Sequence, residues 1–433
     1  MEENKMTAIH DDEELKDHAM IKVIGVGGGG SNAVNSMIQD KKDLIEYWVF
    51  NTDSQDLSHS PCSNKLVLGR NTTRGLGAGG RPSQGREAAE DSYDDIKRIV
   101  HGADMIFIAA GEGGGTGTGA APIVAKAAKE EGCLVLGIVT RPFNFEGKAR
   151  RTNALEGINA LKEYVDALIV VSNDKLIFNK GEFIFDDAFK SVDEILAASV
   201  KTVTDLILVH GKINLDFADV ETTLEEKGIA LIGIGEGKGK NKAIDAAEAA
   251  INSPLLETSI RGSNTMIINF SIGDGVTLID VETAINHITK QATGKENNDC
   301  NIIWGVQNDD SLKDGMRIAI IATDFNKELD FTATPTRNDF KANNRVVQSV
   351  SPASEEPTEP EAEAKKTEDN VLPDFLRHIL KVDTLDTHAP VDEKKEIVEE
   401  EVEETVDEKP AVEETVVQDD DDEPTVITDR PDL

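Results

Sequence analysis

The stretch Gly111-Glu112-Gly113-Gly114-Gly115-Thr116-Gly117-Thr118-Gly119 lies between an apolar, strand-like run, Ala103 to Ala110, and an alanine-rich helical pattern, Ala120 to Glu131. A strand that feeds a glycine loop and then a helix N-terminus makes an anion site. Bare glycines let backbone N–H groups approach phosphate oxygens, threonines add hydroxyl donors, and the helix end carries a partial positive charge. A flexible surface linker is also glycine-rich, but it lacks the apolar strand before and the helix after. The loop therefore reads as a phosphate cradle on an α/β sheet.

A second glycine loop supports this. Ile21 to Val26 reads as a buried parallel strand and runs through Gly27-Gly28-Gly29-Gly30-Ser31-Asn32 into a helix that starts near Ala33. Gly25, Gly27 and Gly30 satisfy G-x-G-x-x-G, a weak dinucleotide fingerprint by itself. One reading is thus an NAD(P)-dependent Rossmann-type oxidoreductase, with Asp53, after a strand at Tyr47 to Asn51, holding a ribose. A diphosphate bridge does not require a second, longer phosphate loop, however, and two loops suit a nucleoside triphosphate better. No G-x-x-x-x-G-K-[ST] occurs, which argues against a P-loop NTPase.

With 433 residues and 39% hydrophobic content the chain can build two ordinary domains. Its net charge of −37 is unevenly placed: Ser351 to Leu433 holds 29 acidic and 8 basic residues. Almost devoid of aromatics, that tail cannot bury enough surface to offset its ordering entropy and reads as disordered. So acidic a chain argues against direct nucleic-acid binding, which needs a basic stripe. Cys62, Cys133 and Cys300 lack metal-ligand spacing and read as reduced thiols, and no metal site is expected from protein ligands. Met1 to Met20 is polar and acidic, unlike a signal peptide, and the apolar runs are strand-sized. These features predict a cytoplasmic protein without direct membrane insertion.

From Ile21 to about Val171 strands and helices alternate, with further strands at Leu134 to Val139 and Asp166 to Val171, the rhythm of a parallel sheet covered on both faces. A long helix is predicted at about Asp187 to Val209, with Val192, Ile195, Leu196, Ser199, Val203, Leu206 and Ile207 at helical spacing. A smaller α+β unit follows to about Asp324: strands at Ile229 to Ile234, Thr265 to Ser271, Asn301 to Val306 and Arg317 to Thr323, and a helix at Lys240 to Asn252.

GVGGGGSNAV, NTD at Asn51 to Asp53, GLGAGG at Gly75 to Gly80, GADMIFIAAGEGGGTGTGAAP, RPFNFEGKAR and NLDFADV together resemble the FtsZ family, the tubulin-like GTPases of bacterial cell division, over about Ile21 to Asp324. The resemblance implies a tubulin-like α/β fold: a doubly wound parallel-sheet GTP-binding domain (21–186) after a flexible segment (1–20), a long central helix (187–209), and a smaller α+β second domain with an acidic catalytic loop (210–330). A disordered acidic linker and tail (331–433) would complete the chain. It implies GTP and GDP as substrate and product, Mg²⁺ as the phosphate counter-ion, head-to-tail homopolymers, and assembly at the division site. Carried over by position, Gly28, Gly29, Gly30, Ser31 and Asn32 with Gly114, Gly115, Thr116, Gly117, Thr118 and Gly119 would hold phosphates, alongside Asn51. Glu146 and Arg150 would contact ribose and phosphate, and Phe189 and Asp193 would stack on and read guanine. By themselves Arg150 reads equally as a surface ion-pair residue and Phe189 as a core residue.

Asn214-Leu215-Asp216-Phe217-Ala218-Asp219 follows the long helix. Taken alone, Asp216 and Asp219 read as an N-cap and a first-turn acid of a helix over Val220 to Glu226. The long helix spans roughly 35 Å, so if its N-terminus meets the base, these acids are remote from their own nucleotide. They could serve a neighbour's in a head-to-tail stack, orienting the attacking water. The resemblance assigns Asn214, Asp216 and Asp219 that catalytic role. In the tail, Leu372, Pro373, Phe375, Leu376 and Arg377 form one apolar island, within 371–380, that resembles the family's peptide for membrane-tethered adaptors and division proteins. The family's peptide lies near the chain end, whereas more than fifty residues follow this one.

Overall fold

Strands whose apolar residues alternate between two covered faces build the first sheet of the computed structural model, which describes residues 18–38, 44–178, 185–209, 211–293 and 300–325. In β1 (Ile21–Val26), Ile21 and Val23 enter one core while Ile24 and Val26 enter another, and β4 (Met105–Gly111) divides Met105, Phe107 and Ala109 from Ile106, Ile108 and Ala110. A strand buried on both faces needs a near-continuous apolar run, and these have one. With β2 (Ile45–Asn51), β3 (Asn64–Val67), β5 (Leu134–Arg141) and β6 (Ala167–Ser172) they form a parallel sheet of order β3-β2-β1-β4-β5-β6. The order reverses between β1 and β4, where ligands of doubly wound sheets bind.

Helix α1 (Gly27–Met37) covers one face, together with the long α8 (Phe185–Leu208). The other face carries α3 (Pro82–Asp91), α4 (Tyr93–Val100), α5 (Thr116–Glu130) and α6 (Lys148–Lys162). Two short helices, α2 (Ser54–His59) and α7 (Asn173–Phe178), follow β2 and β6. Along α8 the buried residues Val192, Ile195, Leu196, Val200, Val203 and Leu206 keep helical spacing. Both glycine-run helices begin earlier than their sequence suggests, at Gly27 rather than near Ala33 and at Thr116 rather than Ala120.

After α8 come α9 (Phe217–Leu224), β7 (Gly228–Gly237), α10 (Lys242–Ile251), β8 (Ser263–Ile272), α11 (Leu278–Thr293), β9 (Asn301–Asn308) and β10 (Met316–Phe325). Here β10 runs antiparallel to both β7 and β8, and β9 parallel to β8, around a separate core with α10 and α11. Three residue pairs between the starts of β6 and β7 join the sheets. Asp166 pins that junction: its buried carboxylate accepts from Lys129 Nζ at 2.5 Å, Val135 N at 2.9 Å and Glu226 N at 3.2 Å. No described helix is long and apolar enough to cross a membrane. The tail residues Leu372, Pro373, Phe375, Leu376 and Arg377 lie outside the described residues.

Candidate functional site

The parallel register sets Val26 beside Ala110, so the two glycine loops leave adjacent strands at the same sheet edge. They touch because no side chain separates them. A Cβ on Gly30 would collide with the Ala109 carbonyl oxygen, and one on Gly27, at φ +73°, would lie 2.8 Å from the Gly117 nitrogen. Gly28 and Gly114 differ: an added Cβ at Gly114 meets nothing within 4 Å, and at Gly28 only Asp56 Oδ2 at 3.7 Å. Packing does not require glycine there, so the bare backbone is open to a ligand. Neither α1 nor α5 has a side-chain N-cap or an acidic residue in its first turn. Two sets of first-turn N–H groups and two positive dipole ends therefore converge with no acid in either helix's own first turn. Thr116 Oγ1 lies 2.6 Å from Thr52 Oγ1, while Thr118 Oγ1 accepts from Gly113 N at 2.8 Å. Asn51 sits buried at the end of β2, donating to Asp56 Oδ2 at 2.5 Å. Such a donor set fits the phosphates of a nucleotide.

Beside it stands an aromatic and polar wall. Glu146 closes a 3-10 turn after β5, accepting from Phe143 N at 2.9 Å, and its other oxygen pairs with Arg150 of α6. Phe143 stacks on exposed Phe145 at 5.0 Å and meets Phe189 of α8 edge-on at 5.2 Å. One turn along α8, partial burial pushes the Asp193 carboxyl up to about 7, and the Asn32 amide of α1 offsets part of that shift. The loops, Glu146, Arg150, Phe189 and Asp193 thus surround one end of α8. Phe189, half-buried against the core, is at once a packing residue and a rim residue.

Sequence reasoning missed three groups here. Asn173, directly after β6, is buried with Oδ1 lacking a partner, as is Ser31 Oγ. Its place at a strand's carboxyl end was the available signal. Asp174 accepts from Asn144 N at 3.0 Å, and burial pushes its carboxyl up. Glu112 is buried beneath the second loop with neither oxygen hydrogen-bonded, and desolvation drives its carboxyl up to about 8. A charged residue inside an apolar-to-glycine junction was the signal for it.

Asn214, Asp216 and Asp219 are not brought to this site. They follow the opposite end of α8, whose 24 residues span roughly 36 Å. All three are exposed; Asn214 Oδ1 accepts from Gly211 N at 2.5 Å, and Asp216 N donates to Asp219 Oδ2 at 3.3 Å in a capping box that starts α9. A cleft of about 590 Å³, lined by Glu194, Asp205, Asn269 and Arg317, opens between α8 and the second sheet, away from the glycine loops.

Asp53, which an oxidoreductase would need for its ribose, is engaged otherwise: Oδ1 accepts from Gln55 N at 2.9 Å and Asp56 N at 3.3 Å, capping α2. Asp53 is thereby unavailable as the ribose ligand of a dinucleotide site, and the comparisons with known proteins do not support an oxidoreductase. The Tubulin/FtsZ family GTPase domain matches residues 20–179, and the FtsZ family C-terminal domain matches residues 228–326. An FtsZ dimer from M. jannaschii is 37% identical with a TM-score of 0.66, over 73% of this chain and 95% of that one. CetZ1 from Haloferax volcanii, a GDP-bound monomer, shares the fold at 19% identity and a TM-score of 0.61, over 75% of this chain and 98% of that one. From the converging glycine loops to the second sheet, the chain belongs to the FtsZ family of tubulin-like GTPases.

Proposed function

We propose that this GTPase assembles head to tail into filaments of the cell-division ring and hydrolyses GTP at the contact between subunits. The observation that carries the reading is the separation along α8: an anion cradle at one end, and exposed Asp216 and Asp219 at the other. No single chain can bring those carboxylates to its own phosphates. A neighbour stacked along the helix direction can, and because such an interface is heterologous and does not close, it propagates a filament. The M. jannaschii relative is described as a dimer, which is consistent with self-association.

In this scheme Gly28 to Asn32 and Gly114 to Gly119 hold the phosphates, helped by Asn51. Glu146 and Arg150 leave their mutual ion pair for ribose and phosphate, and Phe189 and Asp193 take the base, whose N1–H and amino group are donors suited to a carboxylate. Asp216 and Asp219, with Asn214 shaping their loop, orient and polarise the water that attacks the neighbour's γ-phosphate. Mg²⁺ would arrive with the triphosphate. Among the described residues no three His, Cys, Asp or Glu gather to hold it, so no step is assigned to it. The apolar tail island, Leu372 to Arg377, would dock membrane-tethered adaptors at the division site; deleting 370–380 should abolish recruitment to adaptor-bearing vesicles.

Complementation tests the shared site. An Asp219→Ala chain, which keeps its cradle, is mixed with a Gly114→Asp chain, which keeps its acidic loop. Each alone should release little phosphate from GTP, and the mixture should recover turnover. Absence of recovery at every ratio would overturn the shared site. So would a specific activity that stays constant on dilution.

A further inference from the structure

Glu112 is the polar group in the cradle that the proposed chemistry leaves without a task. Its backbone N–H continues the β4–β5 ladder by donating to Thr140 O at 2.9 Å, and its side chain turns under the loop towards α6. There it lies so close to Gly157 that a Cβ on that glycine would collide with Oε2. Neither carboxyl oxygen has a hydrogen-bond partner, although the residue is only 5% exposed. The next residue, Gly113, is fixed by its N–H to Thr118 Oγ1 at 2.8 Å, so side chain and cradle share one anchor in α5.

The surrounding elements bring it no counter-charge. Arg141 of β5 pairs with Glu257, Arg150 of α6 with Glu146, and Arg151 donates to the Asn144 carbonyl. In α5, Lys129 pairs with Asp166, Lys126 lies over the Tyr93 ring and Glu130 pairs with Lys97. Lys148 and Glu156 of α6 face water, and Lys162 has its own interactions. Desolvation dominates the acid's environment, and the Thr118 hydroxyl, close by but outside hydrogen-bond geometry, offsets only a lesser part of it. A neutral carboxyl is tolerated there. A carboxylate is not, because an unpaired buried charge must find water or a cation.

We propose that Glu112 is a positioning residue whose proton holds the second glycine loop closed on the phosphates: the neutral acid packs under Gly113 to Gly115, and its ionisation lifts the loop and repels the polyanion above it. This rests on the reading of the loop as a phosphate cradle. The sign follows from linkage. The complex keeps the acid protonated while the free protein loses that proton as pH rises through about 8, so GTP binding takes up a proton and weakens with rising pH.

The test is titration calorimetry of GTP into the full chain and into Glu112→Gln at pH 7, 8 and 9, each in two buffers of different ionisation enthalpy. Circular dichroism at each pH verifies folding. Ionisation of the nucleotide is common to both chains and cancels in their ratio. The wild type should take up a fraction of a proton at pH 8 to 9 and lose up to about tenfold in affinity per unit above pH 8 relative to the glutamine chain. If Glu112→Gln does not fold, Glu112→Leu takes its place. Parallel profiles with equal proton counts would overturn the role of Glu112 while leaving the cradle intact. Failure of both chains to bind GTP at any pH would instead break the cradle reading.

Discussion

The starts of α1 and α5 and the start of α9 solve the same problem in opposite ways. Every helix begins with N–H groups that lack an intrahelical partner. At α9 the sequence supplies its own anions: Asp216 stands at the N-cap, and Asp219 in the first turn accepts from its backbone N–H at 3.3 Å. At α1 the first turn is itself glycine, Gly27 to Gly30, at α5 glycine stands at the N-cap, and neither first turn holds an acid. The α9 start presents carboxylate oxygens to solvent, whereas the other two offer first-turn N–H groups and a positive dipole end to an anion. Donors at one end of α8 and acids at the other are what the proposed head-to-tail assembly would bring together. The largest effect expected from breaking this contrast is at the acid end. Asp219→Ala should lower turnover by about 10²–10⁴-fold, the usual span for a lost acid or base, with GTP affinity unchanged in equilibrium binding. An equal loss of binding would place Asp219 at its own subunit's nucleotide.

Giving the donor end an anion of its own sharpens the contrast from the other side. Gly114→Asp has room, since nothing lies within 4 Å of an added Cβ, but its charge would occupy the place the proposal gives to phosphate. Two unit charges about 4 Å apart repel by about 4 kcal/mol at the effective dielectric of a protein surface. GTP binding should therefore weaken by at least about a hundredfold, while Gly114→Ala keeps its affinity. Fluorescent-nucleotide displacement would read both, and a weak alanine variant would mean that bulk rather than charge is at issue.

Strand positions were legible because burial on both faces demands apolar runs, and the runs at Ile21, Ala103, Leu134 and Asp166 have few alternatives. The resemblance supplied the tubulin-like fold, yet the helix starts were misplaced in an instructive way. Glycine is a poor helix former, so propensity moves α1 to Ala33 and α5 to Ala120, whereas close contact between the loops holds helical turns from Gly27 and Thr116. Asp53 looked like a ribose ligand because it follows a strand, and only its bonds to Gln55 and Asp56 reveal a cap. The ion pair between Glu146 and Arg150 is local, four residues apart, whereas the orphaned oxygens of Asn173 and Glu112 depend on packing by neighbours distant in sequence, and only their places at strand ends hint at them.

A more moderate effect is expected where α8 meets α1. Burial lifts the Asp193 carboxyl to about 7, and only the ionised form accepts from a base that offers donors. As pH falls through 7 the acid takes a proton that nucleotide must displace, so GTP affinity should drop by up to about tenfold per pH unit. Asp193→Asn should bind weakly with that acid limb flattened. An unchanged limb in the variant would assign the pH dependence to another group.

The smallest effect, on stability alone, separates the two roles that Asp216 combines. Asparagine caps helices about as well as aspartate does, whereas alanine at an N-cap costs about 1 kcal/mol. Asp216→Asn should leave the urea midpoint nearly in place and Asp216→Ala should lower it slightly. If Asp216 serves only to start α9, the asparagine chain will assemble and hydrolyse GTP like the parent. If its charge polarises water on the neighbour's phosphate, that chain will fold and bind GTP normally, yet turn over as poorly as the alanine chain. Capping requires only an acceptor oxygen, while polarising an attacking water requires a full negative charge, and asparagine supplies the first without the second.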